Sequence, residues 1–172
     1  MATIESEFLS FSISKLEELT NRIEICISKL TPEQVWTRGG EQQNAAGNLL
    51  LHLNGNVRQW IVSGLCGAAD RRQRDLEFSE RAVLPPAELV SRLRETVTEA
   101  VAVLRTLSAD QLIEPVRIQG YEGTKLTAIY HVIEHFAGHA FQIFLLTKFL
   151  TDEDLGFYAH LSGAKAAPAA TP

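Results

Sequence analysis

Tyr130-His131-Val132-Ile133-Glu134-His135-Phe136-Ala137-Gly138-His139-Ala140-Phe141-Gln142-Ile143 sets the terms on which the rest of the chain is read. Apolar side chains recur through it at helical spacing, and three of the chain's five histidines fall at i, i+4 and i+8. Each i+4 step turns a helix by only about 40°, so neighbouring imidazoles stand on one face, a turn apart. Such a face lets two ring nitrogens converge on one ion at about 2.0–2.1 Å. A third ligand must come from a facing helix. His52, set in the apolar run Leu49-Leu50-Leu51-His52-Leu53, is the candidate. Histidines on a buried helix face can also be satisfied by backbone or hydroxyl partners with no metal at all. The open arrangement of three imidazoles and one free position belongs to catalytic rather than structural sites. It suits zinc, nickel, copper or iron.

Three further long helices are expected around this one, which itself runs from about Thr124 to Leu150. The first spans about Ile4 to Leu30, where Leu9, Leu16, Ile23 and Leu30 repeat every seven residues with Ile13, Leu19 and Ile27 between them. Thr31-Pro32-Glu33-Gln34 opens a short turn as a capping box with proline in first place. The second long helix covers about Ala45 to Leu65. The third covers about Pro86 to Leu107 on a stripe of Leu89, Leu93, Val97, Val101 and Leu104. Ser108-Ala109-Asp110-Gln111 repeats the capping-box pattern, a weak echo of the first helix pair, and Gly120 to Gly123 is read as a turn. The charged connection 66–85 is long enough to cross a whole bundle. The expected fold is therefore all-α: a four-helix bundle in up-down-down-up order, with a long crossover between helices two and three. It would occupy residues 1–162 as one domain, with an Ala/Pro-rich flexible tail at 163–172.

Composition narrows the function classes. A net charge of -5 gives no basic footprint for nucleic acid, and Arg71, Arg72 and Arg74 form only a short cluster. No run of about 18 apolar residues offers a membrane span. Met1 to Glu7 lacks the charged and apolar regions of an export signal, so a cytoplasmic protein is expected. Cys26 and Cys66 lack metal-ligand spacing and read as small buried hydrophobes. The nearly all-round apolar character of Ile129 to Leu150 suggests a homodimer.

The segments Leu50-Leu51-His52-Leu53-Asn54-Gly55-Asn56-Val57-Arg58-Gln59-Trp60, Arg72-Gln73-Arg74-Asp75-Leu76-Glu77-Phe78, Glu134 to Ile143 and Leu155-Gly156-Phe157-Tyr158 together resemble the DinB/YfiT-like superfamily of metalloenzymes, in an uncharacterised branch. The resemblance implies a four-helix bundle holding one divalent transition metal per chain, zinc or nickel first. It assigns the ligands to His52, His135 and His139, because Gln142-Ile143 follows the pair as in that family. His131 then lies one turn too early and becomes a neighbouring pocket or core group. Phe141 stands where the family often has glycine, so packing or access there is expected to differ.

The resemblance also implies an enzyme acting on a small-molecule substrate, through transferase or isomerase chemistry on a low-molecular-weight thiol. A metal-dependent hydrolase and a non-catalytic metal-binding or stress-response module are the alternatives. No His-Glu-x-x-His pattern is present, and Glu134 points a quarter-turn from His135, toward an outer salt bridge rather than base duty. Asn48 and Asn56 flank His52 by one turn and are placed to orient groups near the ion. Trp36, Trp60, Phe78, Phe157 and Tyr158 read as packing residues, and His160 as a surface group. Arg72, Arg74, Asp75 and Glu77 form either a solvated ion-pair network or a rim for an anionic substrate.

Overall fold

A computed structural model describes residues 2–81 and 84–161; the stretch 163–172 lies outside them. Helix α1 spans Ile4–Ser28 and starts on a capping box between Thr3 and Ser6. Its heptad stripe turns inward, and Leu16 and Ile23 are wholly buried. The single turn α2, Pro32–Val35, begins at Thr31 as its sequence indicates, with Gln34 and Thr31 capping each other. Helix α3 spans Ala46–Val57 and continues as a π-helical segment, Arg58–Ser63. A short helix α4, Arg74–Ser79, follows. Helix α5 is Pro86–Leu104, with all five residues of its expected stripe buried. The turn α6, Ala109–Leu112, leads to strands β1, Pro115–Ile118, and β2, Tyr121–Thr124. Helix α7 is Lys125–Thr151, capped by Thr124.

The chain is mostly helical, as expected, with one small sheet added. α1 packs on α5 and α7, and α3 packs on the same two helices from the other side. Each long helix thus buries its apolar stripe against two others, around a core that includes Leu16, Leu53, Leu93 and Phe136. Arg58 ties α3 to α5 through Thr96 and a two-pronged pair with Glu99.

The structure corrects three local expectations. The stretch read as a turn at Gly120 to Gly123 belongs to an antiparallel hairpin pairing Pro115 with Thr124 and Ile118 with Tyr121. Its two-residue loop is Gln119-Gly120, both at positive φ (53° and 82°), the geometry whose twist matches that of the strands. The 66–85 connection, read as a crossover with no element of its own, contains the short helix α4. Cys26 is buried as expected, and burial pushes its thiol up to about 11. Cys66 is exposed, because it falls in the turn beyond the π-helical segment and not on the buried helical face.

Candidate metal centre

The packing of α3 on α7 sets His52 against His135 and His139. The Nε2 atoms of His52 and His135 are 2.8 Å apart. The His139 ring lies edge-on to both, its centroid 4.9 Å from that of His52 and 4.5 Å from that of His135. One nitrogen from each of the three rings falls within 4.8 Å of the others. Ligands at about 2.0–2.1 Å in a tetrahedron sit roughly 3.3–3.4 Å apart, so small side-chain adjustments bring this trio onto one ion.

The donor chemistry also fits a cation. Burial, then the neighbouring His139, His52, His131 and Arg72, push the His135 ring down to about 3. Burial lowers His139 as well, opposed by its bond to Gln142 and aided by His52. At neutral pH both are free imidazoles with lone pairs to offer. Nδ1 of His139 lies 2.8 Å from Gln142 Oε1 and donates to it, which leaves Nε2 for an ion.

His52 is held from behind by Glu77, whose Oε2 lies 2.8 Å from His52 Nδ1. A carboxylate can only accept, so the hydrogen sits on Nδ1 and the Nε2 lone pair points at the histidine cluster. Glu77 is in turn gripped by Arg72, Nε to Oε1 at 2.7 Å and Nη2 to Oε2 at 2.8 Å. Burial would raise the Glu77 carboxyl, but the hydrogen bonds from Arg72 and His52, with the charge of Arg72, win and hold it below its ordinary value. Arg72 also donates to Gln59 Oε1 at 2.9 Å. α4 is moored to α3 through Asn48, which donates to the carbonyl of Glu77 at 2.9 Å. Phe78 lays its ring 4.6 Å from that of His52.

The charge cluster read from the sequence therefore divides. Arg72 and Glu77 are a buried pair beneath the site, Arg74 lines a cavity, and Asp75 is exposed. Glu134 stands exposed, and no ion pair forms to it among the described residues. His131 is outside the trio. Its ring lies 4.2 Å from that of Trp60 and 5.5 Å from that of His135. Asn56 and Trp60 help line a cavity of about 360 Å³ that opens on His52 and His135. Its far wall comes from the hairpin, through residues such as Ile118 and Tyr121. Trp36 is instead a packing residue, its ring against Gly47 and its Nε1 donating to the Leu84 carbonyl. Phe141 faces outward, edge-on to Phe144, away from the cluster. Phe157 and Tyr158 dock beneath Arg22, and His160 is exposed.

A family model described as "Protein of unknown function (DUF1572)" matches residues 3–165. The chain belongs to the DUF1572 family. That model takes in every histidine of the trio as well as Glu77 and the hairpin. Among solved structures, the DUF1572 chain is similar to a "conserved protein of locus from Enterococcus faecalis", with a TM-score of 0.72 and 14% identity. The match covers 84% of this chain and 97% of that one, and it shows a shared fold. No curated protein matches it. No described helix is long and apolar enough to cross a membrane.

Two contributors to the site were not apparent in the sequence. Glu77 lies 25 residues from His52, in a run of charges that gave no sign of turning inward. The hairpin lacks the Asn-Gly or Asp-Gly pair that marks most such turns.

Proposed function

We propose that this DUF1572 chain is a divalent-metal-dependent enzyme of the DinB/YfiT type, a four-helix bundle in which His52, His135 and His139 hold one transition-metal ion. The observation that carries this reading is the trio itself: three converging ring nitrogens on two helices, with two of the three histidines, His52 and His135, lining a substrate-sized cavity. Zinc and nickel suit three neutral imidazoles, and a bound ion would supply a Lewis acid that lowers the pKa of a thiol or water reaching it.

The residues around the cluster favour transfer or isomerisation through a low-molecular-weight thiol over hydrolysis. A thiol made acidic by the ion brings its own nucleophile. Hydrolysis calls for a general base, and Glu77, the carboxylate nearest the trio, is committed to His52 and Arg72 on the far side of the ring. A non-catalytic metal-binding module gains less support, because the cavity opens directly on two of the three ligands.

Elemental analysis of tag-free protein tests the centre, with wild type beside His52→Ala and His139→Ala. The expected result is about one transition metal per chain in the wild type, lost in both variants. Folded wild-type protein without metal after reconstitution would overturn the reading.

The outer face of α7 bears on assembly. Tyr130, Phe141, Leu145 and Phe149 are all more than half exposed there, at spacings that place them along one side of the helix. We read this stripe as the contact for a second copy. Light scattering at micromolar concentration is expected to give a dimer mass, and a monomer would sink the idea.

A further inference from the structure

His52 meets two competing partners at one atom. Glu77 Oε2 lies 2.8 Å from its Nδ1, and Arg72 Nη2 lies 3.1 Å from the same nitrogen. The two call for opposite tautomers. A carboxylate accepts, which puts the hydrogen on Nδ1 and leaves Nε2 with a free lone pair. A guanidinium donates, which calls for a bare Nδ1 and moves the hydrogen to Nε2, where it blocks an ion. His52 is ready to act as a ligand only while Arg72 is kept for Glu77.

Gln59 is the group that keeps it there. It stands seven residues beyond His52, which on a helix is about 20° around and roughly 10 Å along, too far to touch the ring. Its side chain meets Arg72 instead. Gln59 Oε1 accepts from Arg72 Nη1 at 2.9 Å, while Nε and Nη2 go to Glu77 at 2.7 and 2.8 Å. A planar guanidinium held at all three nitrogens has no freedom to turn toward the imidazole. The Gln59 amide itself has one workable orientation. Its Nε2 donates to Asp70 Oδ2 at 2.5 Å, and that carboxylate can only accept, as Arg72 can only donate. Asp70 Oδ1 also accepts from the backbone N–H of Arg72 at 2.9 Å, so one carboxylate places both partners. Gln59 is 9% exposed and lies in the π-helical segment, where its carbonyl takes the wide bond from Gly64 N at 2.9 Å. Such segments are frequent at functional positions.

We propose that Gln59 is a positioning residue for the metal centre: by anchoring Arg72 it fixes His52 in the tautomer whose Nε2 is free. This role rests on the reading of His52 as a ligand, but the tautomer is observable without metal.

The test uses metal-free protein with ¹⁵N-labelled histidine rings and long-range ¹H–¹⁵N correlation, with His52→Asn identifying the His52 signals. Wild type is expected to carry the His52 hydrogen on Nδ1. Gln59→Met keeps the length of the side chain but offers Arg72 no oxygen. It is expected to raise the Nε2–H form of His52 and to weaken zinc binding about tenfold, the low end of the cost of altering an outer partner. Gln59→Glu still accepts from Arg72 and is expected to keep the wild-type tautomer and affinity. A merely structural role predicts the reverse order, because methionine suits a buried position and a second carboxylate beside Asp70 does not. If Gln59→Met does not fold, Asp70→Ala, at an exposed position, carries the comparison, with a smaller shift in the same direction expected. An Nε2–H tautomer in the wild type, or a His52 tautomer that the folded variant leaves unmoved, would overturn the proposal. Zinc uptake is measured on the same samples, which separates the two readings. Tautomers that follow the expected order in a chain that binds no zinc would keep the hold of Gln59 on His52 and remove the metal centre.

Discussion

Glu77→Ala is expected to lower the stability of the chain by roughly 3–5 kcal/mol, the range found when one partner of a buried ion pair is removed. The Arg72 and Glu77 side chains are only 5% and 10% exposed, so the loss would leave the guanidinium buried with no counter-charge. It would also orphan the Nδ1–H of His52. Chemical denaturation read by circular dichroism measures the effect, and a loss below about 1 kcal/mol would show the pair to be solvated after all. Glu77→Gln separates the two roles of the carboxylate. The amide oxygen can still accept from His52, but the charge that holds Arg72 and strengthens the imidazole as a donor to metal is gone. Metal affinity is then expected to fall by about 10–100-fold, the usual cost of altering such an outer partner. A competition assay with a chromophoric chelator gives the value, and unchanged affinity would leave Glu77 a purely structural residue.

Gly55→Ala is the second large effect, and its sign is opposite to that expected from helix propensity. In an exposed helix interior the change stabilises by up to about 1 kcal/mol. Here the added Cβ would stand 2.0 Å from Glu77 Oε1 and 2.9 Å from Arg72 Nε, closer than atoms can approach. Both atoms belong to the clamp behind His52, so relieving the clash pulls the carboxylate away from the imidazole. The expected outcome is a net destabilisation of about 1–3 kcal/mol, the range for overpacking a filled interior, together with weaker metal binding. Thermal melts and the same chelator competition test it. A variant as stable as wild type with intact affinity would mean that the clamp relaxes without cost.

These two residues also show what a sequence does and does not reveal. His135 and His139 were legible because a helix converts an i+4 spacing into a shared face without help from the rest of the fold. His52 was legible because an imidazole inside a leucine run must point inward with its neighbours. The long helices followed from stripes such as Leu89 to Leu104, where period and burial agree. Glu77 obeys no such local rule. Its position beneath His52 comes from α4 folding back onto α3, fixed by Asn48 and admitted by the missing side chain of Gly55. The hairpin escaped notice because its four-residue strands are mostly exposed and carry little alternation. Cys66 was misplaced because helical periodicity was carried past Ser63, where the π-helical segment ends, into the turn at 64–67.

The cavity is assembled from parts with different mechanical independence. Its floor belongs to α3 and α7, whose side chains are locked into the common core, so a change there is felt throughout the molecule. Its ceiling is a ten-residue loop-out whose two ends meet, Lys125 N donating to Glu114 O at 3.1 Å. A segment that leaves and rejoins the scaffold at one point can be lengthened, shortened or replaced with little effect on what lies below. Selectivity for what enters can thus be rewritten at the hairpin while the histidines, and whatever chemistry they support, stay as they are.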